Sequence, residues 1–361
     1  MKSFRSLFLF PFLFLLGSCA HKAEPVHFNR FEQVIFNTPS NQLRDALIRN
    51  KDTFSTPLLF CQPDNPEYMS YLAGFVNDAE MRYIYHKTDS LYHDLSWLEN
   101  DLGEAMGRAR ELDPDIEYNR YYTLITADYD NYDTRVFCFD RDLAISIDFY
   151  ALPAMTERNS YNMPAYIVNL CSRDHILADC MSAAAIDHIT LPDGDLSLLD
   201  HAIYRGKILY FLDQTLPDVP EHIKIRYTPE QLEWMKKNVE NVWGMFIQKE
   251  MLFSTDKGQL RNFIGEAPKT NAFGDGSAPR VSDYIGWQIV RKYMANTETS
   301  LADLFADTDS RKILNKSQWH PGDDTTPSSR WNLLPWLLAV IAAAGAVTAF
   351  LFWKKRTKLN K

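Results

Sequence analysis

Apolar residues recur at helical spacing over most of the chain and alternate at strand spacing over one stretch before its middle. Ser40 to Gly107 reads as mainly helical. A first helix is expected over Asn41–Arg49 with Ser40 as its cap, and a long charged and aromatic run occupies Met81–Met106. Asp113-Pro114-Asp115 breaks this pattern. Two strand-like runs follow, YYTLITADY (Tyr121–Tyr129) and RVFCFDRDLAISIDFY (Arg135–Tyr150), with Asp130-Asn131-Tyr132-Asp133 as a turn between them. Their simplest arrangement is an antiparallel hairpin. In the second arm Leu143, Ile145, Ile147 and Phe149 alternate with Ala144, Ser146, Asp148 and Tyr150, which predicts one buried face.

From Met163 the spacing is helical to near residue 316. Pro164 begins one helix, and Ser172 or Asp174 caps the next. Thr228-Pro229-Glu230-Gln231 combines a Thr cap, Pro at the first helical position and Gln closing a capping box. Behind it Leu232, Met235, Val239, Val242, Trp243 and Phe246 keep one face, and Val281–Met294 and Leu301–Phe305 extend the pattern. The expected class is therefore α+β and mostly helical, a small antiparallel sheet joined to a helical bundle. One helix stands apart. In LLDHAIYRGKILYFLDQTLP (Leu198–Pro217) the apolar residues go most of the way round the wheel, which predicts deep burial, yet it carries His201, Arg205 and Lys207. Buried cations need partners, so they are either catalytic or pinned to carboxylates of the core.

The two ends have a different character. Lys2 and Arg5 precede an apolar run, Leu7–Leu16, and then Gly17, Ser18 and Cys19, so residues 1–18 read as a secretory leader. Leu16-Gly17-Ser18-Cys19 resembles a lipobox, with Cys19 acylated; the alternative is an ordinary leader with an incidental cysteine. Residues 20–314 form the outer domain and 315–332 a polar linker. Leu333–Trp353 contains 21 residues without a charge, ~31 Å as a helix and so about one membrane core. The basic tail 354–361 behind it predicts a transmembrane helix with a cytoplasmic end and a periplasmic domain. The span favours the inner membrane; Ala20, in place of the Asp that retains many lipoproteins there, favours the outer membrane as the alternative.

Charge removes further functions. The chain carries −9; setting aside two cations in the leader and five in the tail leaves −16 on residues 20–330. Nucleic acid is excluded as a partner, since its binding needs clustered Lys and Arg. Cys61, Cys138, Cys171 and Cys180 are even in number in an oxidising compartment, so disulfides and buried free thiols are both open. A sheet followed by a helical bundle can carry a zinc-peptidase site, but that needs two His four apart on one helix with Glu beside the first. The nine His lie at 21, 27, 86, 93, 175, 188, 201, 222 and 320, and none fits. Weak metal candidates remain in His175, Asp179 and His188, alongside Asp174 and Asp187, and in His86 and His93 with Asp89 and Asp94; a polar stripe and a solvated face are the simpler readings. No nucleophile motif, Walker loop or dinucleotide fingerprint occurs, and no cofactor is expected.

RGKILYFLDQTLPD, IRYTPEQLEWMKKNVENVWGMFIQKEMLFSTD and SDYIGWQIVRKYM resemble the C-terminal half of the gliding-motility-associated lipoprotein family GldB. The matching positions include Gly206, Lys207, Tyr210, Asp213, Trp234, Trp243, Gly286, Trp287 and Arg291. Order and spacing agree from about Gly206 to Met294, and more loosely upstream. The resemblance implies a palmitate-bearing cell-envelope lipoprotein linked to gliding and to type IX secretion, with protein partners. It also implies a zinc-peptidase-like scaffold without its metal motif. In such peptidases a later helix often carries Glu before a Gly, where this chain has Arg205 before Gly206. His201, Arg205 and Lys207 are thus expected to be structural, and the function non-enzymatic; a membrane-anchored peptidase with an altered metal site is the alternative. The chain departs from the family in its added C-terminal span.

Overall fold

The structure is a computed structural model describing residues 23–155, 163–323 and 325. Among the described residues the first elements are β1 (Phe28–Arg30) and α1 (Phe31–Asn37), followed by α2 (Leu43–Arg49), α3 (Ser55–Phe60), α4 (Pro66–Asn77), α5 (Ala79–Tyr92) and α6 (Ser96–Leu112). Strands β2 (Arg120–Leu124), β3 (Val136–Phe139) and β4 (Asp142–Ser146) come next. The second half is helical: α7 (Ala165–Leu170), α8 (Arg173–His188), α9 (Leu198–Thr215), α10 (Glu221–Ile225), α11 (Pro229–Gln248), α12 (Lys257–Ile264), α13 (Val281–Asn296), α14 (Leu301–Ala306) and α15 (Ser310–Ser317).

Local sequence explains where several helices start. Asn65 and Asp78 cap α4 and α5 by accepting from the backbone N–H groups two and three residues on. Ser197 and Asp200 form a capping box at α9, and the box expected from Thr228 and Gln231 opens α11 with Pro229 at its first position. Ser40 does not cap. It sits in a short 3-10 turn ahead of α2 and accepts from Asn77 Nδ2 at 2.5 Å.

The sheet corrects the expected antiparallel arrangement. Its order is β1-β2-β4-β3; β1 and β2 run parallel, β2 and β4 run parallel, and only β3 and β4 are antiparallel. The hairpin lies inside the second predicted arm. Asp140 and Arg141 both take positive φ, 46° and 61°, the backbone of a two-residue primed turn; Asp suits the first position, but Arg141 stands where Gly is expected. The Asp130–Asp133 stretch belongs to a 3-10 segment, Tyr129–Arg135, rather than to a hairpin turn. The predicted one-sided burial also fails: all five residues of β4 are buried, because the strand is internal to the sheet and covered on both faces. Ile147–Ala154 leaves the sheet as a 3-10 segment with six buried residues.

Among the described residues no helix is long and apolar enough to cross a membrane. The transmembrane helix expected over 333–353 lies outside the described residues and is unsupported, so the fold class reduces to a mostly helical protein with a small mixed sheet. One hydrophobic cluster runs from Phe28 to Trp319 and joins sheet and bundle. Cys61, Cys138, Cys171 and Cys180 are all free thiols, so the disulfide alternative falls away.

Candidate functional site

The helical half is organised around α9 and α13, which run side by side. Gly206 and Gly286 set their distance. A Cβ on Gly206 would stand 2.3 Å from the carbonyl oxygen of Gly286, and one on Gly286 would stand 1.7 Å from that of Ala202. The two backbones touch, which only glycine allows. Trp287, next to this contact, is fully buried.

One to two turns beyond lies a buried charge centre. The Asp213 carboxylate accepts from Arg291 Nε at 2.7 Å and Nη2 at 2.9 Å, from Trp287 Nε1 at 2.8 Å and from Lys224 Nζ at 3.3 Å. Arg291 also meets Glu221 at 2.9 Å and lies over the Trp287 ring, 3.8 Å from its centroid. Burial lowers the Lys224 pKa, and Asp213 opposes that shift. Burial would also lower the Arg291 pKa, but hydrogen bonds and charge from Asp213 hold it above its ordinary value.

A second centre is built on Asp179 of α8. It accepts from Arg135 at 2.9 and 3.2 Å, from the Tyr150 hydroxyl at 2.7 Å and from Arg226. Burial alone would raise its pKa; the two guanidinium groups outweigh this and hold the carboxyl well below the usual range. Arg226 adopts a left-handed backbone at the end of α10 (φ 59°), and Arg280 does so at the start of α13 (φ 42°). Arg280 donates to the carbonyls of Ile225 and Arg226 and pairs with Glu266, tying the two segments together.

The charges on α9 have separate partners. Arg205 Nε donates to buried Asp283 at 3.2 Å. Burial raises the Asp283 pKa despite Arg205 and Arg280. Lys207 donates to the backbone carbonyl of Asp307 at 2.6 Å, not to a carboxylate; burial brings its pKa down to about 8. His201 is half-buried, its pKa lowered by burial with Asp283 and Asp200 opposing. Tyr210 packs partly buried against the core, its pKa pushed up to about 12 by burial. Trp234 packs on Phe273, and Trp243 meets Trp319 edge-to-face at 5.3 Å.

The weak metal candidates are not gathered. Asp179 is committed to its cations, whose positive field opposes a metal ion. His175 Nδ1 engages Ser172 at 2.9 Å, and burial with Arg226 brings its pKa down to about 4. His188 faces the carbonyls of Ala184 and Asp115. Among the described residues no group of three or more His, Cys, Asp or Glu is placed to share a metal ion. Cys19 lies outside the described residues.

Sequence reading missed the organising residues. Asp213 and Arg291 stood within the matched segments but were not singled out as a pair, and Arg135, Arg226 and Asp283 were not identified at all. The available signal was an acid or a base inside a helix apolar on every side. Such a residue must be paired, but its partner lies 78 positions away in the case of Asp213 and Arg291.

Comparison with known proteins places this arrangement. The family model described as gliding motility protein GldB matches residues 19–321, most of the chain. No curated protein and no solved structure matches.

Proposed function

The chain belongs to the gliding motility protein GldB family, and from that premise we propose that it is a non-enzymatic interaction component of an envelope motility or type IX secretion assembly, held to the membrane by an acylated Cys19. Membership in the family points to gliding motility and the cell envelope. The observation that carries the non-enzymatic reading is how the buried acids of the helical half are used. Asp179, Asp213 and Asp283 all face Arg or Lys groups of the core, so they act as ties between segments. A general base or metal ligand needs an oxygen open to substrate or ion. His201, Arg205, Gly206, Lys207, Tyr210, Trp234, Trp243, Gly286 and Trp287 are then scaffold residues that hold a contact surface in shape.

The test is affinity purification of the tagged full chain after crosslinking in its host. Reproducible recovery of envelope motility or secretion components supports the reading. Stoichiometric zinc in the purified protein, lost on replacing His175 or His188, overturns it in favour of a peptidase.

A further inference from the structure

The chain enters the fold along a glycine track on α6. A Cβ on Gly103 would stand 2.4 Å from the Glu24 carbonyl oxygen, and one on Gly107 would stand 2.8 Å from the Ala23 Cβ. The Val26 N–H donates to the Glu99 carbonyl at 3.0 Å, and the Glu99 carboxylate accepts from the Phe28 N–H at 2.9 Å. Running back from Val26 to Ala23, the segment passes from Glu99 toward Gly107. Its upstream end therefore points to the C-terminal end of α6. Beyond that end lies Asp113–Asn119, and against it sits the turn between β3 and β4. Arg141 donates to the carbonyls of Asp115 and Glu117 at 3.3 Å each, and the Asn119 N–H donates to the Arg141 carbonyl at 2.7 Å. Phe139, just before the turn, is 43% exposed.

We propose that this end of the domain, with Phe139 at the hairpin tip, rests in the lipid–water interface of the membrane that holds Cys19. This rests on the lipoprotein reading above. Cys19 precedes Ala23 by four positions, so even fully extended its Cα lies within ~14 Å of the Ala23 Cα. Ala23 sits beside Gly107, ~8 Å from the C-terminal end of α6 and ~17 Å from its N-terminal end, so this tether brings the C-terminal end to the membrane first. The tether holds the hairpin tip at high effective concentration near lipid, where an exposed apolar ring gains burial at the headgroup boundary. The cations here, Arg110, Arg120 and Arg141, are accompanied by Asp115, Glu117, Asp140 and Asp187. The contact is therefore aromatic rather than electrostatic and does not need anionic lipid.

The test uses the full chain, with acylation checked by the mass of its N-terminal peptide. A solvent-sensitive dye is placed on Asp140→Cys, beside the retained Phe139, in a Cys138→Ser background. The protein is reconstituted into phosphatidylcholine vesicles with and without phosphatidylglycerol, each carrying a spin-labelled lipid quencher. The dye is expected to be quenched to the same extent in both lipids. Quenching should fall several-fold with a Gly-Ser insertion of roughly 12 residues after Ala20, or with Gly103→Val, which evicts the segment from its track. An acylated chain whose dye stays water-exposed and unquenched, or ignores the insertion, overturns the orientation while leaving the lipoprotein reading standing. Quenching that appears only with phosphatidylglycerol overturns the aromatic contact. An unacylated Cys19 overturns the lipoprotein reading and this orientation with it.

Discussion

Replacing Asp213 with Leu should be among the most destabilising single changes in the helical half. The carboxylate neutralises Arg291 and Lys224, whose side chains are each only 4% exposed, and satisfies the Trp287 indole N–H. Removing one partner of a buried ion pair costs about 3–5 kcal/mol, because the remaining charge is stranded away from water. Glu221 stays beside Arg291 and offsets part of that loss, which favours the lower end of the range. At roughly 2–4 °C per kcal/mol for a domain of this size, the melting temperature should drop by about 10 °C. Calorimetry of the detergent-solubilised full chain measures this directly. The double variant Asp213→Leu with Arg291→Met should recover more than half of the loss, since buried ion pairs are often replaceable by apolar residues together. A single variant within about 1 kcal/mol of the native protein, or a double variant worse than the sum of its parts, would refute the view that Asp213 is the tie between α9, α10 and α13.

Lys207 gives a pH signature. Its folded pKa of about 8 lies below the ordinary 10.5, so the folded state penalises the charged amine: the penalty is fully present below pH 8 and disappears by pH 10.5. Stability measured by urea unfolding should thus gain about 3 kcal/mol from this group between those pH values, and Lys207→Met should lose that rise. Near pH 7 Lys207→Met removes both the amine's burial penalty and its bond to the carbonyl, so stability should hold or rise there, opposite in sign to Asp213→Leu. Gly286→Ala should force α9 and α13 apart and cost about 1–3 kcal/mol or more in the same assay, since the added carbon lands on the Ala202 carbonyl. Asp179→Ala strands Arg135 and Arg226 together and should lower the urea midpoint at least as far as Asp213→Leu. Cys19→Ala should abolish incorporation of labelled palmitate, read by fluorography of the immunoprecipitated chain; retained label would place the acyl group elsewhere.

What the sequence determined by itself is local. The capping box at Thr228–Gln231 is written in four adjacent residues, and the all-round apolar wheel of Leu198–Leu212 announced a buried helix without any partner being known. Spacing within one helix likewise showed that no two His stand four apart, and the ordered matches from Gly206 to Met294 carried the family. Tertiary structure decided what depends on partners distant in the chain. The strand pattern could not say that β4 pairs with β2 in parallel, because alternation looks the same whichever neighbour supplies the hydrogen bonds. Nor could the wheel say that Lys207 would meet a carbonyl while Arg205 met Asp283, since both demand only a partner of suitable polarity. Gly206 and Gly286 show the division most plainly. Each is only a weak spot in its own helix, and their value appears when the two backbones are brought into contact. Helical periodicity and caps are set by neighbours within a few residues, whereas burial, charge pairing and close approach are set by whichever segment the folded chain packs alongside.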